Sequence, residues 1–124
     1  MQQETITPRK KQGGAAEEEA CRFLADLGYR IVKRNFQYGR IGEIDIVAYD
    51  GDILVFVEVK ARSQNDYGSP EESITPRKQA QLKKVAGMYY YVNKLENVNY
   101  RFDVIAIESI IGEKELRHHI RAFF

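Results

Sequence analysis

An α/β domain built as helix, three strands, helix, strand is the fold class this sequence predicts, and three local patterns predict it. Asp50-Gly51 separates two β-branched, apolar runs at 42–49 and 53–62, the mark of a tight hairpin. Apolar residues recur at helical spacing between Ala15 and Gly28. Thr75-Pro76 opens a second such stretch with a capping residue and a proline at the first helical position.

Residues 1–12 are polar and are expected to form a flexible N-terminal tail, leaving 13–124 as one domain. In the first helix, Ala16, Ala20, Phe23, Leu24 and Leu27 form the apolar stripe and Gly28 is the C-terminal stop. Glu17 falls on that stripe, whereas Glu18, Arg22 and Asp26 make an outward ladder of charges. An acid near a helix N-terminus is also favoured by the helix dipole, so Glu17 alone does not define a site. Cys21, beside the stripe, reads as a small core residue. A strand near Tyr29–Asn35 precedes the hairpin. Ser63 to Ser73 lacks hydrophobic periodicity and reads as a loop, with Tyr67 its one aromatic. The second helix runs to about Asn93 with Lys78, Leu82, Val85, Tyr89 and Val92 on one stripe. Tyr89, Tyr90 and Tyr91 must point three ways around it, which suits packing better than base stacking. Tyr100–Glu108 alternates as a strand, and Leu116–Phe123 could add another. His118 and His119, adjacent on that strand, face opposite ways, which argues against a joint metal site.

At 124 residues the chain is long enough for one core and too short for two. A single cysteine excludes an intrachain disulfide. The longest apolar runs are too short to span a bilayer and the N-terminus lacks the apolar segment of a signal peptide, so a cytoplasmic protein without a membrane partner is expected. The formal net charge is only +1, but its distribution is uneven. Acids gather at Glu17–Glu19 and around the hairpin, while bases recur at 9–11, 33–34, 40, 60–62, 77–78 and 83–84. An acidic pocket ringed by bases suits a metal ion and the phosphates of a nucleic acid, although any one basic cluster could equally be ordinary solvated surface.

Chemistry concentrates on the hairpin. Glu43 and Asp45 interrupt one apolar run, Glu58 and Lys60 the other. With Asp50-Gly51 as the loop, Glu43 lies opposite Glu58, Asp45 opposite Phe56 and Ile41 opposite Lys60, so the four ionisable groups share a face. Like charges opposed across strands are destabilising, and buried carboxylates need compensation. A divalent cation would supply it, and oxygen donors without nearby Cys or His favour Mg2+ or Mn2+ over zinc. The plainer alternative is a Glu58–Lys60 ion pair on a solvated strand face, with Glu43 and Asp45 edging a loop.

Asp45, then Glu58-Val59-Lys60 after a hairpin, with Glu17 on a preceding helix, resembles the PD-(D/E)xK nuclease superfamily, in particular its Holliday-junction-resolvase-like branch. The closer resemblance is to the YraN-like family of predicted endonucleases. It runs from about Gly13 to Phe123 through Gly13–Glu17, Arg34-Asn35, Gly42-Glu-Ile-Asp45, Phe56-Val-Glu-Val-Lys60, Arg62, Tyr67-Gly68, Lys78, Arg101-Phe-Asp103, Ile120 and Ala122-Phe123. One departure is that Glu43-Ile44 stands where the superfamily name implies a proline before the aspartate. The resemblance implies a restriction-endonuclease-like αβββαβ core with a mixed central sheet flanked by helices. It also implies a metal-dependent endonuclease acting on DNA, branched or structured DNA included. Asp45 and Glu58 would ligate Mg2+ or Mn2+, with the Val59 carbonyl as a third ligand, and Lys60 would serve the attacking water. Glu17 would be an accessory ligand and Glu43 an outer acid; Arg62, Lys78, Gln79 and Tyr67 would face substrate. A symmetric homodimer would match the paired strands of a four-way junction. A noncatalytic nucleic-acid-binding module and a protein-interaction scaffold of the same fold are the alternatives.

Overall fold

The computed structural model describes residues 8–63 and 68–124, and side chains from Gly14 onward outside 64–67. Its elements are α1 (Pro8–Asp26), β1 (Arg30–Tyr38), β2 (Gly42–Asp50), β3 (Ile53–Ser63), a 3-10 turn at Pro70–Ser73, α2 (Pro76–Val92), β4 (Tyr100–Ile110) and β5 (Glu113–Phe123). The strands form one sheet in sequence order, antiparallel except for the parallel β3–β4 pair, whose crossover carries α2. This is a mixed α/β sheet flanked by two helices, the restriction-endonuclease-like arrangement, extended at its edge by β5.

The helix α1 begins at Pro8, so residues 8–12 are helical rather than part of a tail, and residues 1–7 lie outside the described residues. It ends where Gly28 takes φ +97°, a left-handed conformation that glycine adopts without strain. Ala20 and Leu24 are fully buried against Ile46, Ala48, Val55, Val57, Ile105 and Ile107, with Ala16, Phe23 and Cys21 packed at the edge. Leu27, expected on the buried stripe, is instead exposed, because the helix has already ended at Asp26. On the other face, Leu82, Val85, Ala86 and Tyr89 of α2 cover Ile44, Val47, Leu54, Phe56 and Phe102. Thr75 caps α2 by accepting the Lys78 N–H at 3.2 Å. Val92, the last residue of α2, is exposed rather than buried. Tyr89 is buried, the Tyr90 hydroxyl bonds the Val98 backbone, and Tyr91 is exposed, three directions as expected.

The hairpin loop is Gly51-Asp52, one residue later than the sequence suggested, because Asp50 pairs with Ile53. Gly51 has φ +62°, the glycine-first geometry of a II′ turn. Asp50 stays in the strand, where its carboxylate accepts from Arg101 at 3.1 Å. The register therefore sets Val47, not Asp45, opposite Phe56. Its continuation would bring Asp45 level with Glu58, in place of Glu43.

A buried ionic frame closes the sheet below the hairpin. Arg101 and Asp103 are nearly inaccessible; the Arg101 guanidinium donates to Asp103 (2.9 Å), Asp50 and the Tyr29 hydroxyl (2.7 Å). Asp103 also bonds His118 (2.8 Å) and accepts from the Arg121 N–H (3.0 Å). Burial alone would raise the Asp103 pKa, but the bonds from His118, Arg101 and the Arg121 backbone outweigh it and hold the carboxyl below its usual range. The frame thus ties the α1–β1 junction, β2, β4 and β5 together. Arg101→Ala, which strands a buried carboxylate, is expected to cost about 3–5 kcal/mol in urea unfolding. A cost below about 1 kcal/mol would show that the frame does not hold these strands.

Candidate functional site

Side-chain alternation along β2 breaks at Asp45. Ile44 packs on the α2 face whereas Ile46 and Ala48, of the same parity, pack on the α1 face. Strict period two forbids this, so an irregularity must lie between them. Across the sheet, Asn35 sits between the pairs Arg34–Ile46 and Phe36–Ile44 and has φ +55°, a conformation that Asn tolerates better than most residues. The last β2–β3 pair is Ile46–Val57. Beyond it, the Asp45 carboxylate accepts the Val59 N–H at 2.8 Å, standing in for a backbone carbonyl. Asp45 thereby sits in the fork between two strands.

That position corrects the expectation that Glu43, Asp45, Glu58 and Lys60 project from one face. Glu43 belongs with α1: Glu17, Glu43 and Asp45 each offer a carboxylate oxygen within 4.8 Å of the others. Glu58 lies on the α2 side, 3.8 Å from Lys60 Nζ and 3.6 Å from Lys78 Nζ. Asp45 touches both groups, so one continuous acidic site forms through the fork rather than on a flat face.

Electrostatics reflect this crowding. The Glu58 carboxyl is pushed up to about 8 by burial and then by Asp45, with Lys78 and Lys60 opposing. Glu17 is pushed up to about 7 by burial and by Asp45, against a hydrogen bond from Asn35. Glu58 is 5% exposed, so it is not on a solvated strand face, and its Oε1 is buried with no hydrogen-bond partner. Such an oxygen costs free energy unless an ion, water or proton meets it. Together with an all-oxygen donor set lacking Cys and His, it fits a hard divalent cation.

Of the remaining expected residues, Lys78 reaches the site, and Arg62 lies four residues beyond Glu58 on the same strand, its guanidinium 3.4 Å from the Ala61 carbonyl. The Gln79 amide is committed to the Ile74 carbonyl at 3.1 Å, bracing the start of α2. Tyr67 lies outside the described residues. Val59 meets Asp45 through its N–H. Sequence reasoning missed Asn35 and Arg34 as site neighbours; Arg34 is 2.8 Å from Glu18 and 4.0 Å from Glu17. The place of Arg34-Asn35 among the motifs of the resemblance was the available signal. It also missed Glu71, held down at about 2 mainly by Arg117, which docks the 3-10 turn on β5 and so sets where α2 begins. His119 bonds Glu71 while His118 bonds Asp103, so the two histidines do face opposite ways.

Raised carboxyl pKa values carry a definite sign. Glu17 and Glu58 favour the folded state most when protonated, so their contribution is complete below the unfolded value of roughly 4.3 and declines as pH rises through about 7 and 8. In chelator, urea unfolding is expected to show lower stability at pH 8.5 than at pH 5.5. Glu58→Gln should gain about 1–3 kcal/mol over the wild type at the higher pH. Equal pH dependence in wild type and variant would show that Glu58 is not the strained group.

Comparison with known proteins places this geometry in a family. The model of the uncharacterised protein family UPF0102 matches residues 16–107. A UPF0102 protein of Natranaerobius thermophilus is 46% identical over 116 residues, covering 93% of this chain and 98% of that protein. A second, from Syntrophus aciditrophicus, is 41% identical over 82% of this chain and 80% of its own length. A third, from Caldicellulosiruptor saccharolyticus, is 43% identical over 80% and 83%. Among the described residues no helix is long and apolar enough to cross a membrane. With matches of this length and identity, the chain belongs to the uncharacterised protein family UPF0102, the YraN-like group that its motifs resemble.

Proposed function

We propose that this protein is a metal-dependent endonuclease that hydrolyses phosphodiester bonds in DNA, with branched or otherwise structured DNA as its substrate class. The observation that carries the reading is Glu58: buried, one oxygen without a partner, the other faced by two lysines, and adjoining an aspartate that joins it to two further acids. A carboxylate cluster with lysines at its rim can hold a divalent ion and still accept a phosphate.

Asp45 and Glu58, with the Val59 carbonyl, would hold Mg2+ or Mn2+, and Glu17 and Glu43 would serve as accessory acids. When bound, the ion supplies positive charge at the scissile phosphate and lowers the pKa of a coordinated water. Lys60 would orient or help deprotonate the attacking water and offset the charge that grows on the phosphoryl oxygens as the water oxygen attacks phosphorus and the sugar oxygen leaves. Lys78 and Arg62 hold the flanking phosphate oxygens, and Gln79 supports Lys78 through the start of α2. The enzyme would act in the cytoplasm, and a homodimer would place two such sites on the paired strands of a junction.

Cleavage of labelled junction, flap, single-stranded and duplex DNA is expected with Mg2+ or Mn2+ and not with chelator. Asp45→Ala, Glu58→Gln and Lys60→Ala should each lower it by about 100-fold or more. Binding without cutting by the wild type would favour the noncatalytic module. A metal titration unchanged by Asp45→Ala and Glu58→Gln would remove the metal assignment.

A further inference from the structure

A groove of about 540 Å³ runs between the first half of α2 and the β1–β2 turn, lined by Arg77, Lys78, Gln81, Lys84 and Ile41. It is held in shape by a hydrogen bond from the Gln81 side-chain amide to the Ile41 carbonyl. Gly42 permits the approach, since a Cβ there would lie 3.1 Å from the Gln81 amide nitrogen. Arg77, Gln81 and Lys84 stand at i, i+4 and i+7, so they form one stripe about 10 Å long.

Several cations outside this groove are already engaged. Arg22, Arg34, Lys114 and Arg117 are paired with carboxylates, and Arg30 and Lys83 lie over the rings of Tyr49 and Phe124. Among the described residues Arg77 and Lys84 have no ion pair and are exposed. Lys78 joins the groove to the acidic site, because the same side chain that lines it lies 3.6 Å from Glu58. A concave channel with a single line of uncompensated positive charge, leading to a carboxylate centre, complements one line of phosphates.

We infer that this groove is the track of one nucleic-acid strand leaving the acidic site, with Arg77 and Lys84 as its phosphate-binding residues. The occupant is a single-stranded segment. A duplex presents two diverging phosphate lines on a convex surface, and this groove offers one line of cations in a cleft. Among the described residues no aromatic side chain lines it, so binding is carried by the backbone and is tolerant of sequence. The inference rests on the nucleic-acid reading above and extends it from the reacting centre to the strand path.

The test is binding of a labelled single-stranded oligonucleotide and of a blunt duplex to the full chain in chelator, across a salt series, for wild type, Arg77→Ala/Lys84→Ala and Glu58→Gln. Cleavage with Mg2+ is followed in parallel. The double variant should lose affinity for the single strand about tenfold near 0.1 M salt. Its salt-dependence slope should fall by about 1.4, roughly 0.7 for each phosphate contact removed. Duplex affinity should hardly change, and Glu58→Gln should retain the single-strand slope. Both replaced side chains are exposed, so an unchanged urea midpoint verifies the fold. An unchanged slope on the single strand, an equal loss on the duplex, or no binding by the wild type would each overturn the inference. Groove-dependent binding without any cleavage would support the strand track while removing the nuclease reading; cleavage unaffected by the double variant, with unchanged affinity, would do the reverse.

Discussion

The hydrogen bond from the Val59 N–H to the Asp45 carboxylate replaces a rung of the β2–β3 ladder, and the layout of the site depends on that replacement. A backbone carbonyl there would have kept the strands paired and the alternation intact. With a side chain in its place, the strands part, the left-handed backbone at Asn35 absorbs the change across β1, and Asp45 is left in the plane of the sheet. Acids on opposite faces can then converge: Glu17 from α1 and Glu43 on one side, Glu58 with Lys60 and Lys78 on the other.

Such convergence is costly for a folded chain by itself. Burial and mutual repulsion push two of the carboxyls toward neutrality, and one Glu58 oxygen is left without a partner. The rest of the sheet is constructed to tolerate it. The Arg101–Asp103 frame locks β4 and β5 to the hairpin base, and the Glu71–Arg117 pair docks the segment entering α2. These charge pairs differ from the site in one respect: each buried or half-buried carboxylate in them has its guanidinium. Compensation is complete in the frame and incomplete at the fork, and such incompletely compensated carboxyls are where perturbed pKa values concentrate.

Much of the fold was legible in local chemistry. Thr75-Pro76, Gly28 and the glycine of the hairpin mark boundaries through backbone preference alone, and the observed elements begin or end close to them. The residues that stand at the site, Glu17, Glu43, Asp45, Glu58, Lys60 and Lys78, could also be picked out, because charges interrupt apolar runs there. Their mutual arrangement could not. Period-two reasoning predicts a common face for the hairpin acids, and it has no term for a side chain that substitutes for a ladder carbonyl. Leu27 and Val92 failed for a related reason: helical spacing says which residues share a face, but not where the partner surface stops.

Residue by residue, the sequence by itself determined the element order, the helix-cap positions, and the supply of oxygen ligands and lysines, since these follow from local conformational preference and from composition. Tertiary structure alone decided that β5 completes the sheet, that Asp50 is drawn into Arg101 and moves the loop to Gly51-Asp52, and that Asp45 stands in a fork linking two faces. It also decided that Arg77 and Lys84, without ion pairs among the described residues, stand together beside a groove, while Arg22 and Arg117 are paired with carboxylates. The physical reason is common to all four: each depends on which distant group reaches a donor or acceptor first, and that competition is settled only when the chain is packed.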